Sequence, residues 1–353
     1  MSQKEWLIYG ATGYTGKLIA HMAAAKGLKP ILAGRDKTKI QPLADSLSLP
    51  WRAFTLSDAA GTDAGLKGAS VVLHCAGPFS KTYKPMVAAC LRNGVHYLDI
   101  TGEIEVFEGV FRRHEAAKKA GSVLIPGVGF DVIPTDCLAA NLAAKMPDAL
   151  HLDLAFATSG KTSPGTMKTA VDNLERGNFI RRDGVIKEVP TGKLTTEAAF
   201  SHRKLRVVAI PWGDISTAYH TTQIPNITTY TSLPEKMMKV MRWTRFFKPV
   251  LRLEVVKNYM RQRIEKNVKG PTDDERRRSR VYLWGRVENS QGKVLQGTFD
   301  VPDGYEFTMI GALACVERLL AMDQPRGGSY TPSEFFGKDL AESLPGVSKI
   351  RYF

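Results

Sequence analysis

A chain of 353 residues, 43% of them hydrophobic and 24% charged, has the balance of an ordinary globular protein, and at ~150 residues per domain it has room for two. No apolar run approaches the ~20 residues of a spanning helix, and the first strand begins too early to leave room for a signal peptide. The four cysteines, at 75, 90, 137 and 315, form no CxxC pair, so reduced thiols in a cytoplasmic protein are expected and a metal site is not.

The first stretch with chemistry in it is WLIYGATGYTGK, Trp6 to Lys17, which reads as a buried parallel strand, a glycine-rich turn and the start of a helix. Gly10 permits the tight turn, Gly13 lets backbone amides approach a pyrophosphate, and Gly16 lets the helix pack against the strand. Thr12, Tyr14 and Thr15 complete the loop, and the helix N-terminus offers oriented N–H donors to phosphate. A purely structural turn is the plain alternative. The next strand, through Ile31 to Ala33, ends on Gly34, Arg35 and Asp36. An NAD site places a carboxylate at this strand's end to accept from the ribose 2′-OH. Gly34 stands there instead, and the fork of Arg35 suits a 2′-phosphate, so NADP(H) is the expected cofactor. Asp36 is the competing feature, since a small register shift would turn it onto a ribose.

Strands over Trp51–Thr55 and Ser70–Cys75 follow. The second ends in Ala76, Gly77, Pro78 and Phe79, where backbone and the Phe79 ring are expected to border the nicotinamide, because ligands of open α/β sheets bind at the carboxyl ends of strands. A helix over Tyr83–Asn93, a strand over Val95–Ile100, a helix over Glu105–Ala120 and a strand over Ser122–Pro126 extend the repeat, the pattern of a parallel sheet covered by helices. Tyr83, Asp99, Glu103 and Asp131 lie at or beyond strand ends and are the candidate acid/base groups. Tyr83, with Lys81 and Lys84 beside it to lower its pKa, is the preferred proton donor and Asp131 the second candidate. Asp99 and Asp131 have the alternative of bonding loop amides. No tyrosine has a lysine four residues later, which disfavours the short-chain dehydrogenase arrangement.

Beyond residue ~140 the pattern becomes that of half-buried strands. His151–Thr158 places Leu152, Leu154 and Phe156 on one face, and further strands are expected over Lys204–Ile210, Ile224–Ser232, Arg280–Val287 and Lys293–Val301. Gly165–Gly177 reads as a helix with Met167, Ala170, Val171 and Leu174 on one side, whose N-terminal Ser163, Gly165 and Thr166 could meet an anionic group. The expected fold is thus α/β: a Rossmann-type parallel sheet over residues 1–138, a second α+β domain with a mainly antiparallel sheet over 139–303, and a C-terminal helix and tail over 304–353 packing back on the first domain.

The charge is concentrated. From Lys236 to Lys269 there are eleven Lys/Arg and two Glu, so +9 of the net +14 lies here. Lys236, Lys239, Arg242, Arg245 and Lys248 recur every third residue beside Met237, Met238, Met241, Trp243, Phe246 and Phe247, with Pro249 dividing the segment. A basic amphipathic helix suits an anionic membrane surface, an acidic acyl carrier protein or a lipid-like substrate; a solvated helix or a homodimer contact is the plain alternative. No nucleic-acid-binding module accompanies it.

Taken together, GATGYTG, AGPF, ACLRNGVHYLDITGE and PGVGFDVIPTD resemble the saccharopine dehydrogenase-like oxidoreductases. The resemblance continues more thinly through GTMKTAVDNLERG, Gly270-Pro271, DGYEFTM (Asp303–Met309) and YTPSEFFG (Tyr330–Gly337). Within that group the chain looks most similar to trans-acting enoyl reductases. The resemblance implies NADP(H), hydride transfer and a second α+β domain and does not fix a substrate; an enoyl thioester or other lipid-like substrate is the expected one. Imine-forming amino-acid dehydrogenases of the same group are the alternative, and a non-catalytic NADP(H)-binding protein at a membrane or partner is another.

Overall fold

The computed structural model describes residues 4–160, 167, 171, 177–244, 253–268 and 270–353. They fall into two compact units, one of Met1–Ile133 with Phe307–Leu344 and one of Pro134–Glu306 with Pro345–Phe353.

The first unit is a seven-stranded parallel sheet. Its strands are β1 (Glu5–Tyr9), β2 (Ile31–Gly34), β3 (Trp51–Ala53), β4 (Ala69–His74), β5 (His96–Asp99), β6 (Val123–Ile125) and a short edge strand, Gly328–Ser329, beside β6. The order across the sheet is Gly328–Ser329, β6, β5, β4, β1, β2, β3. The central strands are continuous apolar runs because helices cover both faces, leaving no solvent side for polar residues. These helices are α1 (Tyr14–Ala25), α2 (Lys37–Leu47), α3 (Ala59–Leu66), α4 (Phe79–Asn93), α5 (Ile104–Phe111) and α6 (His114–Ala120). Leu7, Tyr9, Ile31, Val72, Tyr97 and Leu124 form the centre of one core layer.

Two helices depart from the sequence reading. The helix after β4 begins at Phe79, not Tyr83, and the expected single helix over Glu105–Ala120 is broken at Arg112 and Arg113 into α5 and α6. Beyond the break, His114 accepts a hydrogen bond from the Ser329 amide at 3.2 Å, which fastens the edge strand.

The second unit is a mixed sheet. It contains α7 (Ile133–Lys145, from Pro134 onward) and β7 (Ala149–Thr158), β8 (Asn178–Arg182), β9 (Val185–Val189), β10 (Thr195–Ala199), β11 (Lys204–Ala209), β12 (Asn226–Thr231), β13 (Arg280–Asn289) and β14 (Val294–Pro302). The order β10, β11, β12, β7, β13, β14 ends on the tail strand Arg351–Tyr352. Among these pairings β12 with β7 is parallel and the others are antiparallel. Gly285 and Gly297 face each other across β13 and β14. A side chain at Gly285 would come within 2.7 Å of Leu142, so the missing Cβ is what lets α7 lie close on the sheet. Residues 139–303 therefore hold the expected second sheet, whereas the 304–353 segment is divided: Phe307–Leu344 joins the first unit and Pro345–Phe353 the second.

Of the helix expected over Gly165–Gly177, Met167 and Val171 are helical and Gly177 has the positive φ of a helix stop, +82°. Ser163, Gly165, Thr166, Ala170 and Leu174 lie outside the described residues. The basic segment contains helices Glu235–Thr244 and Glu254–Asn267; Phe246, Phe247, Pro249 and the side chain of Trp243 lie outside the described residues. Among the described residues no helix is long and apolar enough to cross a membrane.

Candidate functional site

The turn after β1 is built by glycines at contact distance. Gly10 has φ +85°, and its amide and that of Ala11 donate to the Ala33 carbonyl at 2.8 and 3.2 Å, tying the turn to β2. A Cβ on Gly10 would lie 2.7 Å from the Ala76 nitrogen, and one on Gly16 would lie 2.3 Å from the Gly10 oxygen. The first glycine thus brings the turn against the loop after β4, and the third brings α1 against the turn. Gly13 differs, because a Cβ there meets only the Gly10 oxygen, at 3.3 Å. Its open side is where an anion would approach. Gly13 is the N-cap of α1, with no side-chain cap and no acidic residue in the first turn. The leading N–H groups of a helix have no acceptor within it, so this end carries partial positive charge and suits a diphosphate.

At the end of β2, the two charged neighbours have separate fates. Asp36 is the N-cap of α2, accepting from the Thr38 amide at 3.0 Å and the Thr38 hydroxyl at 2.6 Å, with Lys39 3.6 Å away. These donors hold its carboxyl below the ordinary carboxylate range, the Thr38 hydroxyl most. Asp36 is committed to the helix, which removes the competing reading of it as a ribose ligand. Arg35 is exposed beside Gly34, whose Cβ position meets the Ile40 side chain at 3.3 Å. The missing Cβ of Gly34 makes room for Ile40, and it is the exposed fork of Arg35 that fits a 2′-phosphate.

The loop after β4 begins with the Cys75 amide donating to the Tyr9 carbonyl at 2.7 Å. Gly77 and Pro78 are exposed, and Phe79, expected to border the nicotinamide, is half-buried. It opens α4 and turns edge-on to His74, 5.6 Å between centroids, against the core. His74 was not foreseen. It is fully buried, and burial lowers its pKa to about 3, so it is neutral. Thr82 donates to the Ala76 carbonyl at 2.6 Å and therefore accepts from His74 Nε2 at 2.9 Å, leaving Nδ1 without a partner among the described residues. The pair pins Ala76, and with it the loop.

The four acid/base candidates separate by environment. Tyr83 is 2% exposed within the core. Its hydroxyl lies against Gly109 of α5, where a Cβ would approach to 2.2 Å. Enclosed between two helices, it cannot serve as the proton donor, and the preference for Tyr83 is corrected. Asp99 is fully buried and accepts from Tyr97 at 2.6 Å, Thr101 N at 2.9 Å and Gly127 N at 2.8 Å. Burial raises its pKa to about 6 against the pull of those bonds. Its role is to lash the end of β5 to the loop after β6. Glu103 accepts from the amides of Phe79 and Ser80, at 2.8 and 3.0 Å, and caps the N-terminus of α4.

Asp131 is left. Its carboxyl lies over Gly102, 2.6 Å from where a Cβ would stand, and takes no hydrogen bond from the described residues. Removal from water alone raises its pKa from 3.8 to about 7. The loop holding it is braced on both sides, by Asp99 through Gly127 and by Thr308, whose hydroxyl accepts from the Phe130 amide at 3.0 Å. Glu103 and Asp131 thus flank Gly102 beyond the carboxyl ends of β5 and β6, the same edge of the sheet as the glycine turn.

Residues 6–125 match the family model for the saccharopine dehydrogenase NADP binding domain. The likeness to that domain is confined to this region. The cofactor of the domain is NADP(H), in keeping with the capped Asp36 and exposed Arg35. Beyond the domain the likeness is thinner. The bovine and human saccharopine dehydrogenase-like oxidoreductases are each 29% identical over 249 residues, covering 61% of this chain. The chain spans 58% of the length of those relatives. A trans-acting enoyl reductase from Mycobacterium leprae is 34% identical over 138 residues, 37% of this chain and 33% of that protein. The apo saccharopine dehydrogenase (L-Glu forming) from Saccharomyces cerevisiae superposes with a TM-score of 0.67 at 12% identity, covering 99% of this chain and 100% of the other, which establishes the shared fold.

Proposed function

We propose that the protein is an NADP(H)-dependent oxidoreductase in which Asp131 carries the proton that accompanies hydride transfer. NADPH supplies the hydride. The observation that carries the reading is the Asp131 carboxyl itself, unpaired beside Gly102 and poised near pH 7 by its surroundings. A general acid works best when its pKa lies near the working pH. The amides opening α1 hold the diphosphate, Arg35 the 2′-phosphate, and the loop over Ala76 to Pro78 borders the nicotinamide.

An enoyl thioester is the preferred substrate: hydride adds to the β-carbon and Asp131 protonates the α-carbon. The carboxyl ends of β5 and β6, Asp99 to Glu103 and Pro126 to Pro134, contain three carboxylates and no Lys or Arg. An amino acid's carboxylate would find no cation on these stretches, so the imine-forming alternative is second. We place the reaction in the cytoplasm, where the free thiols of all four cysteines would persist. The test is NADPH oxidation with enoyl-CoA and enoyl carrier-protein esters, beside NADP+ reduction with saccharopine and amino acids. Turnover only with amino-acid substrates would overturn the thioester reading, and saturable NADPH binding without turnover on any of them would overturn the enzyme reading.

A further inference from the structure

The described residues include ten strongly exposed large apolar side chains, and four of them, Met237, Leu253, Val255 and Tyr259, fall within the Lys236–Lys269 stretch. Val255 is the most exposed of the ten at 80%, and Tyr259 is exposed by 58%. Three of them, Leu253, Val255 and Tyr259, stand at the N-cap and in the first turns of the helix Glu254–Asn267, which is not the scatter that ordinary surfaces show.

The helix Glu254–Asn267 has a defined inside and outside. Lys257 and Ile264 are buried. With ~3.6 residues per turn, the opposite side presents Val255, Tyr259, Gln262 and Lys266 in a row, flanked by Asn258 and Arg263, and all six are exposed. The charge is sorted as well. Glu254 sits off this ridge and is paired with Lys257 at 3.4 Å and Arg261 at 3.2 Å. Arg263 lies over the Tyr259 ring, 5.5 Å from its centroid, and its Nε donates to the Tyr259 hydroxyl at 3.0 Å. The outer ridge therefore carries apolar side chains at its N-terminal end and the cations Arg263 and Lys266 at its C-terminal end, with one carboxylate, the exposed Glu265, at its margin.

We propose that this ridge docks the protein on an anionic phospholipid surface, with Val255 and Tyr259 entering the headgroup layer and Arg263 and Lys266 meeting lipid phosphates. The charge favours an anionic surface, since the stretch from Lys236 to Lys269 carries +9 of the net +14. A tyrosine with an apolar ring and a polar tip fits the membrane interface. Charge alone would hold poorly, because at physiological salt the screening length is ~8 Å. Insertion of the apolar end brings the cations within that distance. Each cation held near such a surface strengthens binding about fivefold.

The inference is independent of turnover and is tested by co-sedimentation of the whole protein with vesicles of phosphatidylcholine alone or mixed with phosphatidylglycerol. Binding to the mixed vesicles only, weakening with salt, is expected. The exposed pairs Val255→Ser with Tyr259→Ser, and Arg263→Gln with Lys266→Gln, should each reduce binding about tenfold or more while leaving NADPH affinity and melting temperature unchanged. No binding to the mixed vesicles would overturn the proposal, as would binding that neither pair weakens. Capture by acyl carrier protein without vesicle binding would reassign the ridge to a protein partner, and dissociation of a dimer by the Val255/Tyr259 pair would reassign it to a second copy.

Discussion

Replacing Asp131 with asparagine keeps the shape of the side chain and removes its ionisation, so it separates the proton from the packing. In the folded protein the carboxyl titrates near 7 rather than 3.8 because its surroundings disfavour the charge. A raised folded-state pKa means that the native protein binds this proton more tightly than the unfolded chain. The associated stability is fully present below pH ~4 and is lost as pH rises toward about 7. At ~1.36 kcal/mol per pH unit the ceiling is ~4 kcal/mol, and because the residue keeps some solvent contact we take about half, ~2 kcal/mol. Asp131→Asn should therefore match the wild type near pH ~4 and melt ~4–8 °C higher near pH ~8. Its turnover should fall ~10²- to 10⁴-fold, the usual worth of a general acid, with NADPH affinity unchanged. In the wild type, the reductive rate should decline as pH rises through about 7, where the acid ionises. Thermal melts across pH together with pre-steady-state NADPH oxidation make the measurement. Parallel melting profiles for the two proteins, with turnover intact in the variant, would refute the assignment.

Arg35→Ala should weaken NADPH binding ~10- to 100-fold and leave NADH unchanged, since a charge-assisted phosphate contact is worth ~1.5–3 kcal/mol; equal affinities in the unmutated protein would remove Arg35 from the site. Gly13→Val should abolish NADPH binding without unfolding, because its open side faces the phosphates, while Gly16→Ala should lower the melting temperature, because its Cβ would meet the Gly10 oxygen at 2.3 Å; fluorescence titration and calorimetry distinguish the two. Tyr83→Phe should keep kcat within about threefold, as expected of a hydroxyl outside the reaction, and a loss beyond ~10²-fold would return Tyr83 to the candidates.

Much of the first unit was legible because its signals are local. A buried strand, glycines at fixed spacing and a helix are contiguous in Trp6 to Lys17, and the apolar runs of β2, β4 and β5 have the length and flanking turns of parallel strands. Tyr83 was misjudged for the opposite reason: its surroundings depend on Gly109, far along the chain, whose missing side chain makes room for the ring. Glu103 was placed correctly beyond a strand end, yet its task depends on where α4 begins, and that start was misplaced at Tyr83. In the second unit, β8 and β9 are short and charged and show no clean alternation. Asp183 and Gly184, both at positive φ, form the two-residue connection between them, and an Asp-Gly pair between strands is a hairpin signal that was present and unused. The edge strand Gly328–Ser329 has too few residues to carry a pattern at all.

The split of the first unit between the two ends of the polypeptide bears on how the chain is made. On the ribosome β1 to β6 emerge first, but the segment that lies along the edge of β6 arrives only after Pro134–Glu306 has been translated. At ~5–20 residues per second that interval lasts about 10–35 s. Throughout it, β6 presents unpaired N–H and C=O groups, and an open strand edge invites pairing with another chain. The nascent protein thus begins its nucleotide-binding half early and closes it late. A ribosome stalled or a message truncated within the second unit leaves behind a sheet with one raw margin, a natural substrate for chaperones.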